Sequence, residues 1–122
     1  MKIVIESIPK NKQRYSTLGD WWMDEDGTMQ IRVTGDDPSL SENHQFLIAL
    51  HELVESMLCQ ERGISTEAVD AFDQSHDEYC GEYDLEPGDL EDCPYRKEHR
   101  FAMLIEHLMA HELGISGYGK VM

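Results

Sequence analysis

Apolar and polar residues alternate along three short stretches near the N-terminus, at residues 2–8, 15–23 and 28–33. In the third stretch, Met29, Ile31 and Val33 alternate with polar neighbours. Because successive side chains of a strand point to opposite faces, this pattern predicts a sheet with one buried and one wet face. Asp26-Gly27, which separates the last two stretches, is typical of a hairpin turn.

Beyond residue 38 the apolar spacing becomes that of helices. Ser39 and Glu42 have the spacing of a capping box, which predicts a long helix that ends near Gly63. Ser65 could cap a second helix that continues to about Asp77.

The last third of the chain contains a predicted loop and a predicted helix. Residues 81–94 are acidic and interrupted by Gly and Pro, which indicates a loop. A last helix should run from about Tyr95 to Leu113 and stop at Gly114.

A length of 122 residues with 40% hydrophobic residues suits one globular domain. We therefore predict a single α+β domain over residues 1–122, with antiparallel strands and a hairpin in 1–35 and about three helices in 39–122. No apolar run reaches the roughly 20 residues that cross a bilayer, and the N-terminus lacks the apolar segment of a signal peptide. We expect a cytoplasmic protein with no membrane partner.

The charge is strongly negative, with 10 Lys and Arg against 25 Asp and Glu, a formal net charge of −15. Such a surface repels nucleic acid and anionic membranes, so neither is an expected partner. Some carboxylates could hold cations, or the acidic surface could dock on a basic protein partner. One non-enzymatic hypothesis is therefore an acidic inhibitor that imitates nucleic acid.

Two predicted helices each carry a His and a Glu inside an apolar arc. At about 100° per residue, His51 and Glu55 lie one turn apart, and His99 and Glu106 lie within about 20° of each other. Burying a carboxylate costs several kcal/mol unless it is paired or binds a metal. The cost of burying the two carboxylates is therefore lowest if the two His–Glu pairs face each other. A cation between them would satisfy all four residues.

We predict that these four residues bind one divalent transition metal. Imidazole with carboxylate suits Zn, Fe, Mn, Ni or Co better than Ca or Mg, and zinc is the first expectation. Without metal, the same residues would form a buried network of His–Glu ion pairs. Asp73 and His76 could also reach this site, although a solvated helix face is the alternative for both.

The stretch His51-Glu52-Leu53-Val54-Glu55, placed after strands and a hairpin, resembles the H-E-x-x-H helix of minimal zincin-like metallopeptidase domains of bacteria and phages. The segments GDWW at 19–22 and AVDAFD at 68–73 are also similar to segments of short bacterial and phage proteins.

This resemblance implies that His51 and Glu55 bind zinc and that Glu52 is the general base that activates a zinc-bound water. It also implies a third ligand from a later helix, either His99 or Glu106. Glu55 replaces the second His of the signature. Two His and one Glu form a known catalytic set, although a carboxylate weakens the pull of the metal on water. The implied activity is metal-dependent hydrolysis of an unknown substrate, with peptides or amides as candidate classes.

A second resemblance involves acidic residues only. Glu52-x-x-Glu55 followed by Glu67-x-x-Asp70 is similar to the paired acidic motifs with which all-helical nucleotide pyrophosphatases hold Mg²⁺. The predicted strands do not fit that fold, and this alternative leaves the histidines unexplained.

A third hypothesis is structural zinc. His76, Cys80, Cys93 and His99 have the spacing of a zinc-finger ligand set with Cys and His exchanged. The acidic loop between them lacks the ββα pattern of a finger, and His99 cannot serve both sites. The third cysteine, Cys59, lies in a helical apolar pattern, and without an export signal we expect no disulfides.

Overall fold

The computed structural model describes residues 1–75 and 87–115. Within these ranges a three-stranded sheet comes first and three α-helices follow, which confirms the predicted α+β class. The elements are β1 (Ile3–Ile8), β2 (Gly19–Met23), β3 (Met29–Thr34), α1 (Glu42–Glu61), α2 (Thr66–Ser75) and α3 (Arg96–Glu112).

The sheet has the order β1-β3-β2 and is mixed. β2 and β3 form the predicted antiparallel hairpin, in which Gly27 takes a positive φ of 85°. β1 instead pairs with β3 in parallel, with Ile3 opposite Met29. The expectation of antiparallel strands is therefore correct for the hairpin and wrong for β1. Alternation identifies a strand and its buried face, but it does not specify the neighbour or its direction.

β3 is the central strand and the most buried one. Met29, Ile31 and Val33 are buried, as their alternation predicts. The second strand begins at Gly19 and not at residue 15. Just before it, the hydroxyl of Thr17 donates to the carbonyl of Gly19 at 2.7 Å, which closes a bend.

The helix caps differ in one place from the prediction. Ser41, not Ser39, caps α1 and accepts a hydrogen bond from the backbone N–H of His44 at 3.2 Å. Ser39 turns back and donates its hydroxyl to Asp37 at 2.7 Å. Ser65 caps α2 as predicted, because its hydroxyl accepts from the backbone N–H of Ala68 at 3.1 Å.

Two glycines end helices as the sequence predicts. Gly63 follows α1 and Gly114 follows α3, with φ of 72° and 70°, a backbone conformation that glycine adopts without steric cost. The predicted end of α2 at Asp77 and the first part of the loop at 81–94 lie outside the described residues. The described part of that loop contains a single 3₁₀ turn, Pro87–Asp89.

α1 lies against the sheet on one side and against α3 on another. Gly19 makes the first contact possible, because a Cβ at this position would lie 2.6 Å from Cγ2 of Ile48. The core between sheet and helices contains Trp21, Met29, Ile31, Cys59, Val69, Cys93 and Tyr95. In the described ranges, no helix combines the length and the apolar character needed to cross a membrane.

Candidate metal centre

Three buried side chains from α1 and α3 converge on one point. Oε2 of Glu55 lies 3.1 Å from Nε2 of His51 and 3.0 Å from Nδ1 of His99. The two ring nitrogens are 3.2 Å apart. In a tetrahedral site with bonds of about 2.0–2.1 Å, ligand atoms are separated by about 3.3 Å. The three atoms therefore nearly form one face of a coordination tetrahedron.

Each histidine has a carboxylate at its other ring nitrogen. Nδ1 of His51 lies 2.7 Å from Oε1 of Glu106, and Nε2 of His99 lies 3.3 Å from Oδ1 of Asp89. Histidines that bind metal commonly donate their second ring N–H to a carboxylate, which fixes the tautomer and the ring orientation. With the protons on these outer nitrogens, the lone pairs of both inner nitrogens point into the centre.

The carboxylate of Glu55 is positioned from the sheet. Nε1 of Trp21, on β2, donates to Oε1 of Glu55 at 3.1 Å. Glu55 therefore presents one oxygen to the two histidines while Trp21 binds the other. Because Trp21 is itself buried in the core, this contact fixes the carboxylate against rotation.

The turn at Pro87–Asp89 positions the ring of His99. A Cβ on Gly88 would lie 2.3 Å from Cγ of His99, so the backbone of Gly88 packs directly on the ring. Asp89, the next residue, reaches the edge of the same ring. Only glycine permits this close approach.

A tyrosine-bound carboxylate lies beside the centre. The hydroxyls of Tyr95 and Tyr15 both donate to Asp73, and the Tyr15 bond is 3.0 Å long. Burial raises the pKa of Asp73 to about 7, although both hydrogen bonds oppose the shift. The rings of Tyr95 and His99 form a T-shaped pair, with their centroids 6.4 Å apart. Asp73 is therefore linked to the centre indirectly, through Tyr95, and is not one of the three groups that converge there.

The charges at the centre favour protonated histidines and an ionised Glu55. Burial alone would raise the pKa of Glu55, but hydrogen bonds from His51 and His99 outweigh it and lower the pKa to about 2. Burial also opposes the charged form of His99, yet Asp89 and Glu55 raise its pKa to about 10. The pKa of His51 is likewise raised, against the effect of burial, by Glu106 and Glu55.

The structure brings together three of the four predicted ligands. Within residues 1–75 and 87–115, His51, Glu55 and His99 are the one group of three or more His, Cys, Asp or Glu residues that could hold a metal ion. Glu106 lies outside this group and contacts His51 through the opposite ring nitrogen. His76, proposed as a possible addition, lies outside the described residues.

Glu52 occupies the sheet side of α1, next to the start of β2. Its Cγ and Oε1 each lie 3.1 Å from the position that a Cβ of Gly19 would take. Its negative charge contributes, after the larger effects of Glu106 and Glu55, to the raised pKa of His51. Glu52 is therefore near the centre electrostatically without belonging to the converging group, as its position on the helix predicts.

The chain matches no protein-family model, no curated protein and no solved structure. The resemblance to minimal zincins stays a prediction.

The residues of the pyrophosphatase-like alternative do not converge. Asp70 binds Arg14, with an oxygen 2.8 Å from Nη1, and Glu67 is exposed. Glu55 is engaged with the two histidines and Trp21.

The structural-zinc alternative depends on His76 and Cys80, which lie outside the described residues. Of its other ligands, His99 faces Glu55 and Asp89 with its two nitrogens. Cys93 is buried in the core, where burial raises the pKa of its thiol to about 12 and keeps it protonated.

Two residues that position the centre were not identified from the sequence. Asp89 lies in a predicted loop among many acidic residues, and no local pattern singles it out. Trp21 lies in the predicted strand at residues 15–23. Its position in a strand predicts burial but not that its indole N–H reaches Glu55.

Proposed function

We propose that this protein binds one divalent transition metal ion through Nε2 of His51, Oε2 of Glu55 and Nδ1 of His99. The observation that carries the proposal is the spacing of these three atoms, 3.0–3.2 Å from one another, on three buried side chains. Two imidazoles and a carboxylate favour zinc, with Fe, Mn, Ni and Co as the other candidates.

In the absence of a metal, protons on the two histidines would have to supply the positive charge of the centre. Two neutral imidazoles would leave the buried carboxylate of Glu55 between two uncharged rings. Protonating both histidines would place two protons on ring nitrogens that lie only 3.2 Å apart. Both protons would point at the same oxygen, Oε2 of Glu55. One divalent ion supplies the same charge and attracts all three inner atoms, which avoids the repulsion between two imidazolium groups.

In this proposal Glu106 and Asp89 are outer carboxylates. Glu106 accepts the outer N–H of His51, and Asp89 lies 3.3 Å from Nε2 of His99. Both carboxylates orient the rings and increase the basicity of the inner nitrogens. This role replaces the direct ligation that the sequence predicts for Glu106.

We further propose that the bound metal serves hydrolysis. Two His and one Glu are a ligand set found in catalytic zinc sites. A metal held by His51, Glu55 and His99 would supply a Lewis acid that activates water near neutral pH. Glu52, adjacent to His51, is the proposed general base, and a peptide or another amide is the proposed substrate class.

Metal titration of the untagged chain tests the metal site. We expect wild-type protein to bind about one equivalent of Zn²⁺ or Co²⁺ and His99→Ala to bind at least about 100-fold more weakly, because one of three protein ligands is missing. His111→Ala is the matched control, since His111 is an exposed histidine on the same helix. Equal binding by wild type and His99→Ala would contradict the proposed site.

Glu52→Gln tests the hydrolytic part of the proposal. The substitution keeps the shape and removes the base, so we expect metal binding to persist and hydrolysis to fall by roughly 10² or more. The assay is a panel of peptides, amides and esters, with Glu61→Gln on the same helix as control. Undiminished turnover by Glu52→Gln would exclude Glu52 as the base. If metal-loaded wild-type protein hydrolyses nothing in the panel, the proposed metal site stands and the proposed hydrolytic activity is contradicted.

A further inference from the structure

The outer face of α3 carries exposed apolar side chains. Phe101, Leu104 and Leu108 are 48%, 39% and 58% exposed. With Lys97 and His111 they recur at intervals of four, three, four and three residues. This is the spacing of a coiled-coil seam, and we call these five residues the α3 seam.

The α3 seam is separate from the metal centre. At about 100° per residue, it lies on the side of the helix opposite Ala102 and Ala110, which are buried. His99 and Glu106 belong to that buried side, which faces α1. A contact made through the α3 seam therefore leaves the metal ligands undisturbed.

The charges at the two ends of the α3 seam indicate what fits it. Lys97 and the adjacent Arg100 are exposed near the N-terminal end of α3, and Glu112 is exposed at the C-terminal end. A second α3 packed antiparallel would bring Glu112 of each copy toward the basic end of the other. A parallel copy would instead place Lys97 against Lys97. The helix dipoles also favour the antiparallel arrangement.

On this face two such acidic chains can approach with little local repulsion. Lys97, Arg100 and Glu112 together carry one net positive charge, whereas the chain carries −15. A strip that is locally neutral to basic on an acidic protein suits contact with its own copy better than contact with a basic partner.

We propose that the α3 seam joins two copies of this chain in an antiparallel pair, with a two-fold axis near Leu104. Such an interface is isologous, because each copy contributes the same residues. A single helix pair buries a small area and the two chains repel each other at long range. The dimer should therefore dissociate in the micromolar range and tighten as salt screens the net charge.

Sedimentation equilibrium of the full chain tests this proposal. We expect a monomer–dimer equilibrium that Phe101→Ser and Leu108→Ser each weaken at least about tenfold. Phe46→Ser is the matched control, because Phe46 is a similarly exposed apolar residue on α1. A chain that is monomeric at about 100 µM, or a dimer that the seam variants leave unchanged, would overturn the proposal.

A charge exchange tests the antiparallel direction. Lys97→Glu and Glu112→Lys should each weaken the dimer, because each places like charges at both ends of the α3 seam. The double variant should restore wild-type affinity. Unaltered metal titration in all variants would show that the fold is intact. A double variant weaker than either single one would overturn the antiparallel pair.

Discussion

Replacing Glu55 by glutamine should remove metal binding at the centre and lower the free energy of unfolding by roughly 3–5 kcal/mol. Glu55 is buried between two histidines and is the only carboxylate that contacts both inner nitrogens among the described residues. A neutral amide is a poor ligand for a divalent ion, and it leaves two buried cationic groups without their shared partner. Metal titration and chemical denaturation in a chelator measure the two effects separately.

Glu106→Gln is the control that separates an inner from an outer carboxylate. Because Glu106 contacts only the outer nitrogen of His51 in the described contacts, we expect metal affinity to fall by about 10–100-fold with one equivalent still bound. Equal and complete loss of metal in both variants would make Glu106 a direct ligand, as the sequence predicts. Full retention of metal by Glu55→Gln would contradict the proposed centre.

The metal-free protein should lose stability as the pH rises. The pKa of His99 is about 10 in the folded chain, against an ordinary value of 6.5. The folded state therefore retains a proton that the unfolded chain has released, and the stability present in full below pH 6.5 is lost through pH 10. Asp73 has a pKa of about 7, so its proton is released mainly below about pH 8. From about pH 8 to about pH 10, we expect His99 to lower the free energy of unfolding by roughly 2–3 kcal/mol, and the raised pKa of His51 changes stability in the same direction.

Metal should reverse this trend. A bound ion requires the unprotonated inner nitrogens, so its affinity and its stabilising effect should increase over the same pH range. Denaturant unfolding with chelator and with saturating Zn²⁺ compares the two states. His99→Ala should make the metal-free curve less steep without flattening it, because His51 also has a raised pKa. A wild-type curve that is already flat without metal would show that His99 holds no raised pKa.

The fold class was predictable because apolar residues recur with the two-residue period of strands near the N-terminus and with the spacing of helices after residue 38. Met29, Ile31 and Val33 mark a strand with one buried face, and Gly63 and Gly114 mark helix ends. The parallel pairing of β1 was not predictable, because strand partners depend on long-range contacts that no local pattern encodes. The capping-box spacing predicts Ser39 as the cap of α1, whereas in the structure Ser39 donates its hydroxyl to Asp37 and Ser41 caps the helix.

The sequence predicts which faces of the two helices carry the site residues and that these faces meet. A His and a Glu one turn apart within an apolar stripe predict that both are buried, and a second such pair predicts that the two stripes meet. The distinction between Glu55 and Glu106 was beyond the sequence, because it depends on which ring nitrogen of His51 each carboxylate reaches. The contacts of Trp21 and Asp89 depend likewise on packing between elements distant in sequence.

X-ray absorption spectroscopy of the untagged protein, purified without added metal, tests the proposed metal centre most directly, because it identifies the metal and its ligand atoms together. We expect about one transition metal per chain, surrounded by nitrogen and oxygen atoms at about 2.0–2.1 Å with the signature of imidazole. Sulfur ligands at about 2.3 Å would assign the metal to cysteines and contradict the His51–Glu55–His99 site. If the protein carries no metal and takes up none when Zn²⁺ is supplied, the proposed metal centre is contradicted, and the three residues form a buried ion-pair network instead.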